Sequence, residues 1–315
     1  MAHETMDIDL VYLWVDGNDP EWLAKHNACV GKMEAKSATD CKGRYADNDE
    51  LKYSLRSIEK YAPWIHRIFI VTDNQTPAWL DTSDPKIRIV DHSEIMPAVS
   101  RPCFNATVIE HFICDIPGLA EHFLFANDDM FINRPVTPET FFAEDGLPII
   151  RFNRRPFRKF TLWYKEKVQG KKLSNYIQII RNAAELVERK YGKYYGGKTH
   201  HNIDAYLKSD CQHVERMFRK EIEPTLTNHV RSANDIQRNL FAYVALAEKR
   251  AHLHYVGQRT SFRLHIQNES HYAKLERYKP MLFCMNDSQY AGDADREREK
   301  AWLERRFPEK SRFEK

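Results

Sequence analysis

An α/β fold built on a mainly parallel sheet is what this chain predicts, and three observations predict it. Over the first 135 residues short apolar runs alternate with helical patterns, the runs are β-branched or aromatic, and each is followed by polar or acidic residues. Expected strands are Ile8 to Val15, Arg67 to Thr72, Ile87 to Val90 and His122 to Ala126. Between them, Leu51, Leu55, Ile58 and Ala62 recur at helical spacing, with Asp47 and Glu50 read as a capping box and Pro63 as the stop. A second helix is expected after Asn105, carrying Val108, Ile109 and Phe112 on one face. Such alternation implies a sheet with helices on both faces, and in such sheets ligands bind beyond the carboxyl ends of the strands.

After Pro135 the texture changes. Basic helix-forming stretches (Asn175 to Lys190, Asp204 to Glu221, Asp235 to Lys249) suggest a helical insertion over about residues 150–250, set into an α/β core of residues 1–135 and about 250–315. Leu253 to Val256, Phe262 to Ile266 and Met281 to Met285 read as later strands returning to the sheet. Asp293 to Phe307 reads as a charged helix with Trp302, Leu303 and Phe307 available for docking. There is no internal repeat and no low-complexity tract.

Composition narrows the class. A hydrophobic fraction of 42% over 315 residues supports a real core and excludes disorder. A net charge of +3 gives the whole chain no bias toward polyanions. Apolar runs such as Ile68 to Val71 fall far short of the roughly 18–20 residues that cross a bilayer. The start, Met-Ala-His-Glu-Thr-Met, lacks the basic and apolar regions of a secretory signal, so a cytoplasmic location is expected. Six cysteines (Cys29, Cys41, Cys103, Cys114, Cys211, Cys284) form no CxxC pair, which argues against zinc and for free thiols.

The chemistry gathers at strand ends: Asp16-Gly17-Asn18-Asp19, Asp73-Asn74-Gln75, Asp91-His92 and Asn127-Asp128-Asp129 follow the four strands. In a parallel sheet all four lie along one rim. Carboxylates and amides there suit a hard divalent cation and a diphosphate, although Asp and Asn at such places also cap helices. The doublet Asp128-Asp129 points most strongly to a ligand, because adjacent carboxylates repel unless something positive sits between them.

Four segments carry a family resemblance. IDLVYLWVDGNDP (Ile8 to Pro20) resembles the first conserved region of Stealth proteins, and the stretch from Arg44 to Val136 resembles the second. THHNIDAY followed by HVRSANDIQ is similar to the third, and CMNDSQ with FPEKSRFE to the fourth. The resemblance spans nearly the whole chain as a single catalytic domain. It implies a Rossmann-like, GT-A-like core and a hexose-1-phosphate transferase that uses a divalent metal, Mg²⁺ or Mn²⁺, and usually a UDP-sugar. By that resemblance Asp128, Asp129, His201 and Arg231 are catalytic and Asn286 falls on the fourth-region asparagine. After His201 the chain reads Asn-Ile-Asp where many members have a proline two positions on, so His200 competes with His201 for the role.

Residue chemistry fits these assignments. Histidine titrates near pH ~6.5, so His201 suits a general base. Arg231 can clamp phosphate oxygens bidentately. Asp129 and Asn286 are the expected metal ligands. Trp14, Asp16 and Gly17 stand where a nucleotide would lie, with Trp14 equally suited to the core; Arg56 and Asp73 are further donor-contact candidates.

Between Arg151 and Lys198 there are fourteen Lys/Arg against three Asp/Glu, a surplus of eleven that leaves the remainder of the chain at minus eight. Phe152, Phe157, Phe160, Trp163 and Tyr164 interleave with Arg154, Arg155, Arg158, Lys159 and Lys165. Such a patch suits a phosphoglycan acceptor, an anionic membrane surface contacted peripherally at the inner face, or simply a solvated helix face. Nucleic acid is not an expected partner, since no nucleic-acid motif accompanies the charge.

Overall fold

A computed structural model describes residues 6–31 and 45–315. Cys41 and Arg44 lie outside the described residues. In chain order the first elements are β1 (Ile8–Leu13), α1 (Pro20–Val30), α2 (Glu50–Tyr61), β2 (Ile68–Thr72), β3 (Ile87–Asp91), the short α3 (His92–Ile95) and α4 (Ala106–Ile109), β4 (His122–Asn127) and β5 (Met130–Ile132). Next come β6 (Ile149–Asn153), α5 (Arg158–Lys167), α6 (Asn175–Tyr191), β7 (Lys198–Thr199), β8 (Asp204–Leu207), α7 (Lys208–Met217), α8 (Arg219–Ile222) and α9 (Asn239–Ala247). The chain closes with β9 (His252–Tyr255), β10 (Ser261–His265), α10 (Glu269–Tyr278), β11 (Leu282–Asn286) and α11 (Asp293–Arg306).

The central sheet has the order β3-β2-β1-β4-β8. Its first four strands are parallel, in the 3-2-1-4 order of a Rossmann-like sheet, and β8 runs antiparallel to β4. Side chains alternate across it. Val11, Phe69, Phe123 and Phe125 pack toward Leu240 and Tyr243 of α9, while Leu10, Tyr12 and Leu124 pack toward Leu51, Leu55 and Ile58 of α2. Both faces are therefore covered, which is why these strands read as largely apolar runs. The strand ends all reach the same rim, as the sequence predicts.

Several expectations need correction. The strands near the end of the chain do not return to the central sheet: β10 and β11 join β5, and β9 joins β6 and β7, in two separate three-stranded sheets. Asp204–Leu207 is a strand, not the start of a helix. Four residues are too few to show a period, and pairing with β4 buries all four. Asp235 does not open a helix either; its carboxylate holds a loop by accepting from Ser232 N (2.9 Å), Asn105 Nδ2 (2.8 Å) and Asn228 Nδ2 (2.6 Å), and α9 begins at Asn239. Residues 150–250 are thus woven into the core, since β8 extends the sheet and α9 covers it. The helix after Asn105 starts as predicted, with the Asn105 side chain accepting from Thr107 N, but passes into a 3₁₀ segment over Glu110–Asp115.

At the end of the chain, α11 docks through Leu303 and Phe307 against Phe131 and Phe283, with Trp302 at the margin. The capping box read from Asp47 and Glu50 is absent. Asp49 is the N-cap in a left-handed conformation (φ 66°), Asp47 accepts from Asp49 N, and Glu50 accepts from Asn48 N and Nδ2. Both acids are turned instead toward the strand ends.

Candidate active site

The doublet lies in the tight turn between β4 and β5. Asp129 N–H donates to Asp128 Oδ1 at 3.0 Å, and Asp129 O accepts from Met285 N at 2.9 Å, so β11 fixes the turn from the other side. The thiol of Cys284 donates to Asp129 Oδ2 at 3.0 Å, while Asp129 Oδ1 is buried without a hydrogen-bond partner. Burial, followed by the charges of Glu50, Asp129 and Asp47, drives the Asp128 carboxyl well above its ordinary range. Burial raises Asp129 to about 6, against the pull of the Cys284 hydrogen bond and Arg263.

Other carboxyl groups converge on the same place from distant parts of the chain. Burial, with Asp47 next to it, lifts Glu50 from 4.5 to about 8, and burial lifts Asp47 to about 6. Glu299 of α11 is fully buried, and burial followed by Glu50, Asp287, Asp129 and Asp128 holds it well above the carboxylate range. Asn48 links Glu50 and Glu299 through its side-chain amide, and Glu299 Oε1 has no partner. Mutually repelling acids with orphaned oxygens in a buried cluster are stable only with bound protons or a cation between them.

His201 stands just before β8, whose antiparallel pairing brings it to the end of β4. Its backbone is left-handed (φ 57°), and its Nε2 lies 4.0 Å from Asp129 Oδ2. Burial, then Arg263, Arg238, Lys198 and His200, push its pKa well below the ordinary 6.5, so the ring is neutral at neutral pH. This corrects the expectation of an unperturbed titration. His200 turns the other way: it is buried with Nε2 3.3 Å from Asp204 Oδ1.

Asp129, His201 and Cys284 offer ligand atoms within 4.8 Å of one another, a set that could hold a metal ion. The thiol weakens the case for a soft-metal site, because burial and Asp129 push Cys284 well above its normal range and keep it a hydrogen-bond donor. The oxygen-rich side, with the orphaned Asp129 Oδ1, fits a hard divalent cation better.

The remaining predicted residues divide. Asn286 ends β11 near the doublet, but its Oδ1 accepts from Arg263 and is committed there. Arg231 lies in the loop held by Asp235 and acts electrostatically on Glu110, Asp235 and Tyr176; among the described residues no hydrogen bond or ion pair joins it to the doublet. Asp16 accepts from Asn18 N, its own N–H donates to Gln75, and its charge reaches Asp47. Trp14 is buried beside Asp47 as a core residue. Gly17 serves packing: a Cβ there would sit 2.3 Å from Tyr45 O. Asp73 is held by Lys25 at 2.6 Å, two strands from the doublet. Arg56 is contradicted as a donor contact, because its guanidinium clamps Glu314 through two hydrogen bonds (2.7 and 2.6 Å) and donates to Phe307 O, fixing the end of the chain.

Sequence reasoning missed Glu50, Glu299, Arg263 and Glu110. Glu110 is buried and paired with Arg238, which also binds Asp204 and Tyr206 and stacks on Phe125. Glu50 was concealed by a capping pattern, and Glu299 by the charged helix around it.

Fold and site together define an α/β protein with an acidic, cation-ready centre beside a neutral histidine at the carboxyl rim of its sheet. The chain belongs to the Stealth family: residues 6–34 match Stealth protein CR1, conserved region 1, and residues 44–150 match Stealth protein CR2, conserved region 2. It is 36% identical to exopolysaccharide phosphotransferase SCO6023 of Streptomyces coelicolor, over 98% of this chain and 52% of that one. It is 38% identical to capsular polysaccharide phosphotransferase cps1A of Actinobacillus pleuropneumoniae, over 73% of this chain and 62% of that one. Exopolysaccharide phosphotransferase CpsY of Mycobacterium tuberculosis is 34% identical over 98% of this chain and 58% of that one. The chain therefore spans about half to three fifths of these relatives' length. Among solved structures, a galactosyltransferase, LgtC, in complex with donor and acceptor sugar analogues aligns over 94% of both chains at 11% identity, with a TM-score of 0.43.

Proposed function

We propose that this chain is a sugar-phosphate transferase of capsule or exopolysaccharide synthesis, moving hexose-1-phosphate from a nucleotide-sugar to a hydroxyl of an acceptor glycan. The donor proposed is a UDP-hexose such as UDP-GlcNAc. The observation that carries the reading is His201 Nε2 at 4.0 Å from Asp129, with burial and neighbouring cations keeping the ring neutral. The names of the relatives support the same chemistry.

In this reaction the acceptor oxygen forms a bond to the β-phosphorus and the bond from that phosphorus to the nucleoside monophosphate oxygen breaks. The acceptor proton passes to His201 Nε2. A divalent cation, Mg²⁺ or Mn²⁺, bound by Asp129 and Asp128, would neutralise the diphosphate. Cys284 orients Asp129 through its thiol hydrogen bond, and Arg263 holds Asn286. Arg231, which acts on Glu110 together with Arg238, is the proposed contact for phosphate oxygens.

The leaving group tests this. A UDP-hexose labelled in its β-phosphate, incubated with acceptor, is expected to yield UMP and a labelled glycan. Predominant UDP with unlabelled product would overturn the reading in favour of glycosyl transfer.

A further inference from the structure

The basic segment read from the sequence as one patch has two sides in the structure. Outward, Phe157, Phe160, Trp163 and Tyr164 are exposed on and next to α5. Inward, a cavity of about 230 Å³ lies between α5, α6 and the approach to β7, lined by Arg155, Arg158, Tyr176, Tyr194, Tyr195 and Lys198.

The cavity is a built feature. At Gly196 a Cβ would lie 2.6 Å from Arg158 Cβ, and at Gly197 another would lie 2.7 Å from the Phe152 ring, so the two glycines let this backbone press against the start of α5 and against β6. Tyr195 stacks on Tyr243 with ring centres 5.5 Å apart, and Tyr243 donates to Gly197 O, which fixes the wall. Tyr195 is only 7% exposed, yet its hydroxyl has no hydrogen-bond partner. The Lys198 ammonium sits 4.9 Å over the ring of Tyr176.

The cations here lack counter-charge. Among the described residues no carboxylate pairs with Arg155, Arg158 or Lys198. The carboxylates nearby are committed, Glu166 and Glu185 to Arg181 and Glu188 to Lys159. Burial, then Arg263, Arg155 and Arg158, bring Lys198 down to about 8, and Arg158 is lowered by burial and by Arg155. Lys198 and Arg263 also act on His201, so the cavity adjoins the reaction centre.

We propose that this cavity is a phosphodiester subsite, in which Arg155, Arg158 and Lys198 hold a phosphate of the acceptor glycan while the tyrosines flank its sugar. Guanidinium forks match phosphate oxygens, tyrosine rings stack on sugar faces, and the orphaned Tyr195 hydroxyl supplies one more donor. Its place in catalysis rests on the sugar-phosphate transfer proposed above: a glycan extended by that reaction carries a phosphodiester behind its reacting end, and this subsite reads it.

Calorimetry on the full chain in chelator tests the subsite without turnover. The probes are a synthetic dimer of two hexoses joined by a phosphodiester and the matching disaccharide without phosphate. The dimer is expected to bind, and the disaccharide to bind at least about tenfold more weakly, the scale of one or two charge-assisted hydrogen bonds. Arg155→Gln with Arg158→Gln, and separately Lys198→Met, should each weaken the dimer about tenfold and flatten its salt dependence. Lys165→Gln, exposed on the same helix and away from the cavity wall, should leave it unchanged. Equal binding of both probes, or full affinity in variants whose melting curves show them folded, would overturn the proposal. So would a parallel loss of UMP affinity measured with Mg²⁺, which would assign the cations to the donor. Release of UDP in the labelled-donor assay would remove the reaction reading alone, because the binding comparison stands without it.

Discussion

Replacing Glu50 by Gln should make the cation-free protein more stable at alkaline pH, the reverse of the usual effect of changing a buried residue. Glu50 rises from 4.5 to about 8 because it is buried among acids. An acid with a raised folded pKa binds its proton more tightly in the folded state, so stability falls as pH rises from about 4.5 through about 8. At roughly 1.4 kcal/mol per unit the full cost of ionising it approaches about 5 kcal/mol, and dielectric relaxation brings the realised value down to roughly 1–3 kcal/mol. At roughly 2 °C per kcal/mol for a chain of this size, Glu50→Gln should raise Tm by about 2–6 °C at pH 8.5 in chelator. At pH 5, where Glu50 keeps its proton, the difference should shrink below about 2 °C. Added Mn²⁺ should stabilise the native chain at pH 8.5 more than the variant, because the variant has already lost part of the repulsion that a cation relieves. Scanning calorimetry at both pH values, with and without metal, reads all of this. A lower Tm for Glu50→Gln at pH 8.5 in chelator, or an identical Mn²⁺ shift in both proteins, would refute the idea of a repelling acid cluster awaiting a cation.

His201→Ala should reduce kcat by roughly 10²–10⁴-fold, and His200→Ala should reduce it far less, since His200 faces Asp204 inside the fold. In the native enzyme the acidic limb of the pH–rate profile should lie well below pH ~6.5, because burial and cations depress His201; a limb at or above that value would assign the proton transfer elsewhere. Arg231→Lys should lower kcat/KM yet leave that limb in place, because burial, Arg263, Arg238 and Lys198 are the main causes acting on His201 and the lysine keeps the charge; a moved limb in the variant would merge the two roles. Arg56→Ala should cost roughly 3–5 kcal/mol of stability through the buried Glu314 partner, while donor KM holds at a temperature where the variant is folded; a raised KM would restore Arg56 to the donor site.

Much of this was legible because the relevant signals are local. The strands from Ile8 to Asn127 are mostly buried by helices, so each appears as a largely apolar run, broken only by residues such as Asp9 and Arg88, and the polar residues just after each one mark the rim directly. Asp128 and Asp129 stood out because adjacent carboxylates repel each other unless something positive sits between them. What escaped the sequence depends on distant partners. Glu50 and Glu299 are 249 positions apart and become neighbours only when α11 folds back over α2, and each sits in a local context with an ordinary explanation, a helix start and a charged helix. Arg56 misled in the opposite sense: its helical position reads as solvated, and nothing local reveals that Glu314 waits at the far end of the chain.

The charge count had the same limitation. A surplus of eleven in one segment says that something there meets negative charge, but it cannot separate Lys159, whose partner Glu188 lies on the surface, from Arg158 one residue earlier, which turns into a cavity with no acid. Only the fold sorts them. It also brings both kinds of charge to one imidazole: Asp129 of the β4–β5 turn lies 4.0 Å from His201, and Arg263 of β10, Arg238 and Lys198 of β7 act on the same ring. The carboxylate of Asp129 beside it would by itself raise the pKa of His201, so the depression shows that burial and the charges of Arg263, Arg238 and Lys198 outweigh it, which leaves the ring neutral for the proton transfer proposed above.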